Sequence, residues 1–206
     1  LMETDHAAGR AELSGDPSPV TAYGVFQGIK AAVKWVFGSE ELKGRKVAMQ
    51  GLGKVGWALS KYLHEAGAEL VVADIDPEVV ERAAREFAAE TAGTGEIYSV
   101  ECDVFAPCAL GAILNDETIP QLKCKIVAGA ANNQLKELRH GDMLRERGIL
   151  YAPDFVINGG GVINVAEEYH PSGYSRERAL ARVSKIYDKL MRVFQISQER
   201  TISTAK

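Results

Sequence analysis

The sequence predicts an α/β fold: a Rossmann-type, doubly wound and mainly parallel sheet with flanking helices and a long C-terminal helix. Three observations predict it. Short apolar runs alternate with segments of helical periodicity at the spacing of strand–helix–strand units. A glycine-rich turn, Gly51-Leu52-Gly53-Lys54-Val55-Gly56, joins the first strand-like run to the helix behind it. The second run ends on an acidic residue, Asp74, 23 residues after Gly51.

Residues 1–17 are polar and small, punctuated by Gly and Pro, and read as a tail or linker before a domain over 18–206. Ser18 as N-cap and Pro19 at the first helical position start a hinge helix over 18–37, which Gly38-Ser39 ends. Residues 46–50 form a short buried strand that runs straight into the glycine turn. From Val55 the pattern turns helical, with Val55, Leu59, Tyr62 and Leu63 on one face and a stop at Gly67. Residues 70–73 form a second strand ending in Asp74-Ile75-Asp76-Pro77, and a helix follows over 78–89. A short strand is expected at 97–100 and a more convincing one at 125–129, with residues 103–108 as a loop between them. A helix spans 134–147, with His140-Gly141 as its weak point. Residues 149–151 and 155–157 are further strand candidates, leading to Asn158-Gly159-Gly160-Gly161 and a helix from Val162. One last helix covers 175–198, with Leu180, Val183, Tyr187, Leu190 and Phe194 as its apolar stripe. Its opposite face carries Arg178, Arg182, Lys185, Lys189 and Arg192, which read as solvated cations.

Composition narrows the function classes. The 206 residues are 46% apolar and 25% charged, enough to build one domain with a sizeable core. The net charge is −4, from 24 Lys and Arg against 28 Asp and Glu, and no basic stripe interrupts it, so nucleic acid is not an expected partner. Apolar runs such as residues 70–73 are far too short to span a membrane. The three cysteines, Cys102, Cys108 and Cys124, form no CxxC pair, which suits a reducing cytoplasm, and Cys108 reads as buried and structural. His6, His64, His140 and His170 lack metal-ligand spacing, no G-x-S-x-G elbow occurs, and His64 reads as a surface residue. The chain opens at Leu1 without a signal-peptide pattern and closes at Lys206 without a helix stop, which predicts a piece truncated at both ends.

The motifs point to a dinucleotide. In the glycine turn, Gly51 allows the tight bend, Gly53 lets the backbone approach a pyrophosphate, and Gly56 permits close helix-on-strand packing. The free N–H groups of the following helix start would hold the phosphate charge. Asp74 would accept from the adenosine ribose hydroxyls and repel a 2′-phosphate, which favours NAD over NADP. Asp76 fits the capping of the next helix, leaving Asp74 for the ribose. Two further loops follow later strands, Gly129-Ala130-Ala131-Asn132-Asn133 and Asn158-Gly159-Gly160-Gly161. Their small residues allow a flat ring to lie close, and an Asn amide can hydrogen-bond a carboxamide or an amino group. Turns rich in Asn and Gly are also ordinary structural features.

These motifs, taken with several others in order, resemble the amino-acid dehydrogenases of the Glu/Leu/Phe/Val family. The residues that carry the resemblance are the segment from Ser14 to Val25, the Gly51 turn, Cys102-Asp103-Val104-Phe105-Ala106-Pro107-Cys108-Ala109-Leu110-Gly111, the stretch from Ala128 to Leu135, and Tyr151 to Asn158. Val162-Ile163-Asn164-Val165-Ala166-Glu167-Glu168 is most similar to the leucine-specific members. The resemblance covers residues 14–198. It implies NAD-dependent oxidative deamination of a branched-chain L-amino acid to its 2-oxo acid and ammonia. By position, Gly51, Leu52, Gly53, Lys54, Val55 and Gly56 would hold the pyrophosphate and Asp74 the ribose. Thr21, Ala130, Ala131 and Asn132 would line the nicotinamide end, and Asn158 would reach the substrate amino group or the carboxamide. The family's catalytic lysine lies in an N-terminal domain ahead of the Ser14 segment, so the resemblance places no catalytic residue in this sequence and implies an inactive fragment. It also implies homo-oligomers, built largely through that other domain. Gly159 stands where the family has alanine, and residues 1–13 and 170–173 depart from the pattern. Two other readings stay open: a phenylalanine or valine dehydrogenase, and a non-catalytic NAD-binding regulatory module.

Overall fold

In the computed structural model, residues 15–206 are described. Residues 1–14, most of the expected tail, lie outside the described part. Six strands form one all-parallel sheet: β1 (Lys46–Gln50), β2 (Glu69–Ala73), β3 (Glu90–Thr91), β4 (Val104–Pro107), β5 (Ile126–Val127) and β6 (Leu150–Tyr151). Their spatial order is β3-β2-β1-β4-β5-β6, so the chain winds outward from β1 in one direction, then returns to lay β4 on β1's other side. The loops after β1 and β4 therefore diverge and leave a crevice at the carboxyl ends of the strands.

Side chains alternate faces along each strand. Val47, Met49, Leu70, Val72, Val104 and Ala106 enter one apolar cluster. Ala48, Val71, Ala73, Phe105 and Val127 enter the other. Burial on both faces is what a parallel sheet requires. The first face is covered by α1 (Ser18–Phe37), α2 (Lys54–Glu65), α3 (Pro77–Phe87), α5 (Asp154–Ile157) and α8 (Ile186–Arg200), through residues such as Ile29, Leu59, Phe87, Ile157 and Leu190. The second face is covered by α4 (Arg139–Glu146), through Leu144, and by two 3-10 turns, through Ile97 and Ile119.

The architecture agrees with the expected fold class, and several elements differ. Ser18 is the first helical residue rather than the cap; Asp16 Oδ1 accepts its N–H at 2.9 Å. The expected strand at 97–100 is a 3-10 turn (Ile97–Ser99), and the sheet edge is instead the two-residue β3. The expected loop at 103–108 contains β4, which sits at the sheet centre between β1 and β5. The helix expected over 134–147 is only α4; Leu135 instead bridges Leu114, Lys136 N–H donates to Leu114 O at 3.0 Å, and His140-Gly141 lies unbroken inside the helix. Residues 155–157 form the helical turn α5 and not a strand, because Pro153 and Asp154 start a helix directly after β6. The helix of the third glycine loop is α6 (Gly160–Glu167). The single C-terminal helix is two, α7 (Arg176–Ser184) and α8, parted at Lys185.

Arg178 and Arg182 are partly exposed, as expected of a solvated face, but both are also paired with a buried carboxylate. Glu167 at the end of α6 is fully buried, and it accepts from Arg178 Nε at 2.6 Å and Arg182 Nη1 at 3.0 Å. Beside it, Tyr174 Oη donates to buried Asn164 Oδ1 at 2.9 Å. Burial pushes the Glu167 carboxyl up, but the two arginines outweigh it and hold its pKa below the ordinary value. The stability this pairing contributes is therefore complete above the unfolded-state pKa and is lost as pH falls through the depressed one. Glu167→Gln is expected to lower the urea midpoint at pH 7, with the gap to the parent closing as pH falls from about 5 to about 3. A gap that stays constant over that range would contradict the assignment.

Candidate functional site

The glycine turn leaves β1 and enters α2 at the switch point between β1 and β4. Gly51 has φ +98°, a left-handed conformation that only glycine takes without strain, and its N–H is held by Ala73 O at 2.8 Å. A Cβ on Gly56 would lie on the Gly51 carbonyl oxygen, so α2 approaches β1 at backbone distance. A Cβ on exposed Gly53 would meet nothing within 4 Å. The first intrahelical bond of α2 runs from Trp57 N–H to Gly53 O at 2.8 Å, and Gly53 supplies no side-chain cap. The N–H groups ahead of Trp57 thus open toward the crevice at the positive end of the helix, a setting that suits an anion. Leu52 is buried in the core with its N–H held by Asp74, the exposed Lys54 ammonium lies 3.7 Å from Asp16, and Val55 is half-buried, so the side chains of these three expected residues are not gathered at the cavity.

Asp74 closes β2 beside the turn. Its Oδ2 accepts from Leu52 N–H at 2.6 Å and its Oδ1 from Asp76 N–H at 3.0 Å. Each oxygen keeps a second lone pair, so the carboxylate is aimed by the backbone and retains acceptor capacity. Asp76 caps α3 by accepting from Glu78 N–H at 2.9 Å, the capping role expected of it from the sequence. Between the turn and the loop after β4 lies a cavity of about 390 Å³, bordered by Gly51, Gly53, Asp74, Ile75, Tyr98 and Leu110. Ile75 and Leu110, 91% and 73% exposed, border it as apolar surfaces. Tyr98 and Gln50, hydrogen-bonded at 2.6 Å, also line it. Neither residue carried a motif signal; both are recognisable only as neighbours of the turn in space.

Cys108 also lines this cavity and is half-buried, not the fully buried residue expected. Burial raises its thiol pKa to about 11, so at neutral pH it is a neutral thiol and no nucleophile. His64 is exposed on α2, as expected.

The second group of expected residues gathers further along the strand ends. Asn158 Nδ2 donates to Ala130 O at 3.3 Å and to Asn132 Oδ1, tying the two later loops together. Both amide hydrogens are thus engaged within the protein, and the amide oxygen is the group left for a donor. Ala131 is buried and its N–H donates to Pro107 O at 2.9 Å. Thr21, near the start of α1, donates to Pro17 O at 3.0 Å, and the α6 glycines lie against it. Three residues that lie within the resemblance motifs but carry no assigned role there support this region: Gln134, Asp154 and Tyr151. Among the described residues, no group of His, Cys, Asp and Glu could hold a metal ion, and no helix is long and apolar enough to cross a membrane.

An all-parallel sheet with a glycine turn at its switch point defines a Rossmann-type domain. The Glutamate/Leucine/Phenylalanine/Valine dehydrogenase family profile matches residues 14–81 and 75–203, and the chain belongs to that family. It is 58% identical over 205 residues to the leucine dehydrogenase of Bacillus cereus, a match covering 98% of this chain and 56% of that protein. It is 62% identical over 185 residues to the leucine dehydrogenase of Thermoactinomyces intermedius, covering 90% of this chain and 50% of that one. The crystal structure of L-tryptophan dehydrogenase from Nostoc punctiforme has a TM-score of 0.89 at 51% identity, covering 92% of this chain and 57% of that one. A hetero-hexameric glutamate dehydrogenase from Thermus thermophilus shares the fold, with a TM-score of 0.68 at 20% identity over 91% of this chain and 49% of that one. The chain thus spans about half the length of the curated relatives it matches.

Proposed function

We propose that this chain holds NAD as the cofactor-binding part of an enzyme that oxidatively deaminates a branched-chain L-amino acid, leucine first, to its 2-oxo acid and ammonia. The observation that carries the cofactor assignment is the Gly51 turn at the switch point, opening onto the cavity that Asp74 borders. The residues fit the group: Gly53 leaves space where a pyrophosphate approaches, and the N–H groups of the α2 start face it. Asp74 would take the ribose hydroxyls, and the apolar rims of Ile75 and Leu110 suit the two faces of an adenine. Thr21, Ala130, Ala131 and Asn132 would border the nicotinamide, and the Asn158 amide oxygen would accept from the substrate amino group or the carboxamide.

NAD supplies the hydride acceptor of such a reaction. The chain's own residues bind and orient it; none is assigned the proton-transfer role, which the family resemblance gives to a lysine in another domain. Homo-oligomerisation through that domain, and a cytoplasmic setting suited to three free thiols, belong to the same proposal. Leucine is favoured as substrate by the identity to two leucine dehydrogenases, which exceeds the 51% to an L-tryptophan dehydrogenase and the 45% to a phenylalanine dehydrogenase.

Two measurements test this. The 206-residue chain alone is expected to bind NADH in a fluorescence titration and to reduce no NAD with leucine. Grafted in place of the matching stretch of the Bacillus cereus leucine dehydrogenase, it is expected to restore NAD reduction with leucine and valine above phenylalanine and tryptophan. A graft that folds, binds NADH and turns over no amino acid would favour a regulatory module. Preference for an aromatic substrate would reassign the specificity.

A further inference from the structure

The backbone at residues 130–132 hangs on one buried side chain. Gln134 is fully buried, and its Nε2 donates to Gly129 O and to Ala131 O, both at 2.9 Å. Both partners are carbonyls that can only accept, so the orientation of the amide is determined. Its Oε1 is left buried without a hydrogen-bond partner among the described residues. An unsatisfied buried acceptor is costly, and an apolar residue of similar volume would avoid it. The polar group at 134 is therefore explained by the two carbonyls it holds. The same loop is tied from outside: Asp154 Oδ2 accepts from Asn133 N–H, and Tyr151 Oη donates to Asp154 Oδ1 at 2.9 Å. Between the inner and outer ties, Ala131 is turned into the core while Ala130 and Asn132 remain accessible beside Asn158.

We propose that Gln134, with Asp154 as its outer counterpart, is a positioning residue for the nicotinamide end of the dinucleotide site, acting through the backbone of residues 130–132. At the adenosine end, the Gly51 turn and Asp74 are bonded to Ala73, Leu52 and Asp76 and not to the 129–134 loop. The segment after Leu110 does meet that loop, through Ala112 N–H to Asn133 O at 2.7 Å and Leu114 N–H to Gln134 O at 2.9 Å, but these are backbone bonds that do not involve the Gln134 amide side chain. This inference rests on the reading that the chain binds NAD.

The test compares NADH with ADP-ribose, which lacks the nicotinamide, on the 206-residue chain and its variants. Gln134→Met keeps the volume and removes both donors. It is expected to weaken NADH about tenfold, and to reduce the fluorescence enhancement of bound NADH, while ADP-ribose stays within about twofold of the parent. Asp154→Ala, at a partly exposed position, is expected to produce the same split with smaller amplitude, and it decides the matter should Gln134→Met fail to fold. Equal weakening of both ligands, or no weakening of NADH, in a folded variant overturns the inference alone. A parent chain that binds neither ligand overturns it together with the proposed function.

Discussion

Gly56→Ala is expected to abolish NADH binding and to destabilise the domain by about 1–3 kcal/mol or more. The new Cβ would fall on the Gly51 carbonyl oxygen and come within 3.4 Å of Cys108 Cβ. The turn cannot swing away, because Gly51 N–H is bonded to Ala73 O and Leu52 N–H to Asp74. Relief must come from lifting α2 off β1, yet Leu59 and Leu63 of α2 are wholly buried in the core beneath. Lifting the helix start also moves the N–H groups proposed to hold the pyrophosphate. Gly53→Ala is the matched control: its Cβ meets no protein atom, so stability should hold while NADH binding falls. Urea unfolding followed by tryptophan fluorescence, with NADH titration of each variant, separates the two. Unchanged NADH binding in either variant would remove the turn from the site.

Asp74→Ala is expected to weaken NADH by about 10- to 100-fold, the scale of losing a charge-assisted hydrogen bond of about 1.5–3 kcal/mol. It should also narrow the preference for NADH over NADPH, because the carboxylate that repels a 2′-phosphate is gone. The loss has two sources. One is the acceptor itself; the other is the Leu52 N–H, held at 2.6 Å by the carboxylate and released when it is removed. Asp74→Asn separates them, since an amide oxygen can still accept from Leu52 while the charge is lost. Its affinity for NADH should lie between parent and Asp74→Ala, with discrimination against NADPH reduced nearly as far. Exclusion of NADPH undiminished in both variants would show that Asp74 does not select the cofactor.

Much of the first half of the domain was legible because its signals are local. Residues 46–50 are β1 as expected, and the helix after the turn and the strand before Asp74 lie within a residue or so of expectation. The misreadings cluster where a segment's conformation is set by a distant partner. Val104-Phe105-Ala106-Pro107 is only four residues long and ends in proline, yet β1 and β5 on either side make it a central strand. Ile97 looks like a strand residue by type, but its side chain plugs the second apolar cluster from a 3-10 turn. Gln134 reads as the start of a helix until its amide is seen holding Gly129 and Ala131, while Leu135 pairs with Leu114. The C-terminal stripe has unbroken helical periodicity, and both α7 and α8 pack on α1, through Val183 and Ile186 against Gly24; α7 is also bound to α6 through Glu167, and the helix parts at Lys185.

By itself, then, the sequence determined the alternation of strands and helices, the glycine turn with Asp74 behind it, and the family. Each of these depends on the order and spacing of neighbours along the chain, through backbone preference, hydrophobic period and glycine's freedom at φ +98°. The tertiary structure alone decided how the groups are held. It aimed Asp74 by Leu52 and Asp76, joined Asn158 to Asn132, satisfied Glu167 with two arginines, and suspended the 129–134 loop on Gln134. The physical reason is that polar groups, whether buried like Glu167 and Gln134 or nearer the surface like Asn132, take their partners from what lies beside them in space. Those partners lie 11 to 26 residues away in sequence for Glu167 and Asn132, and no local pattern encodes such a meeting.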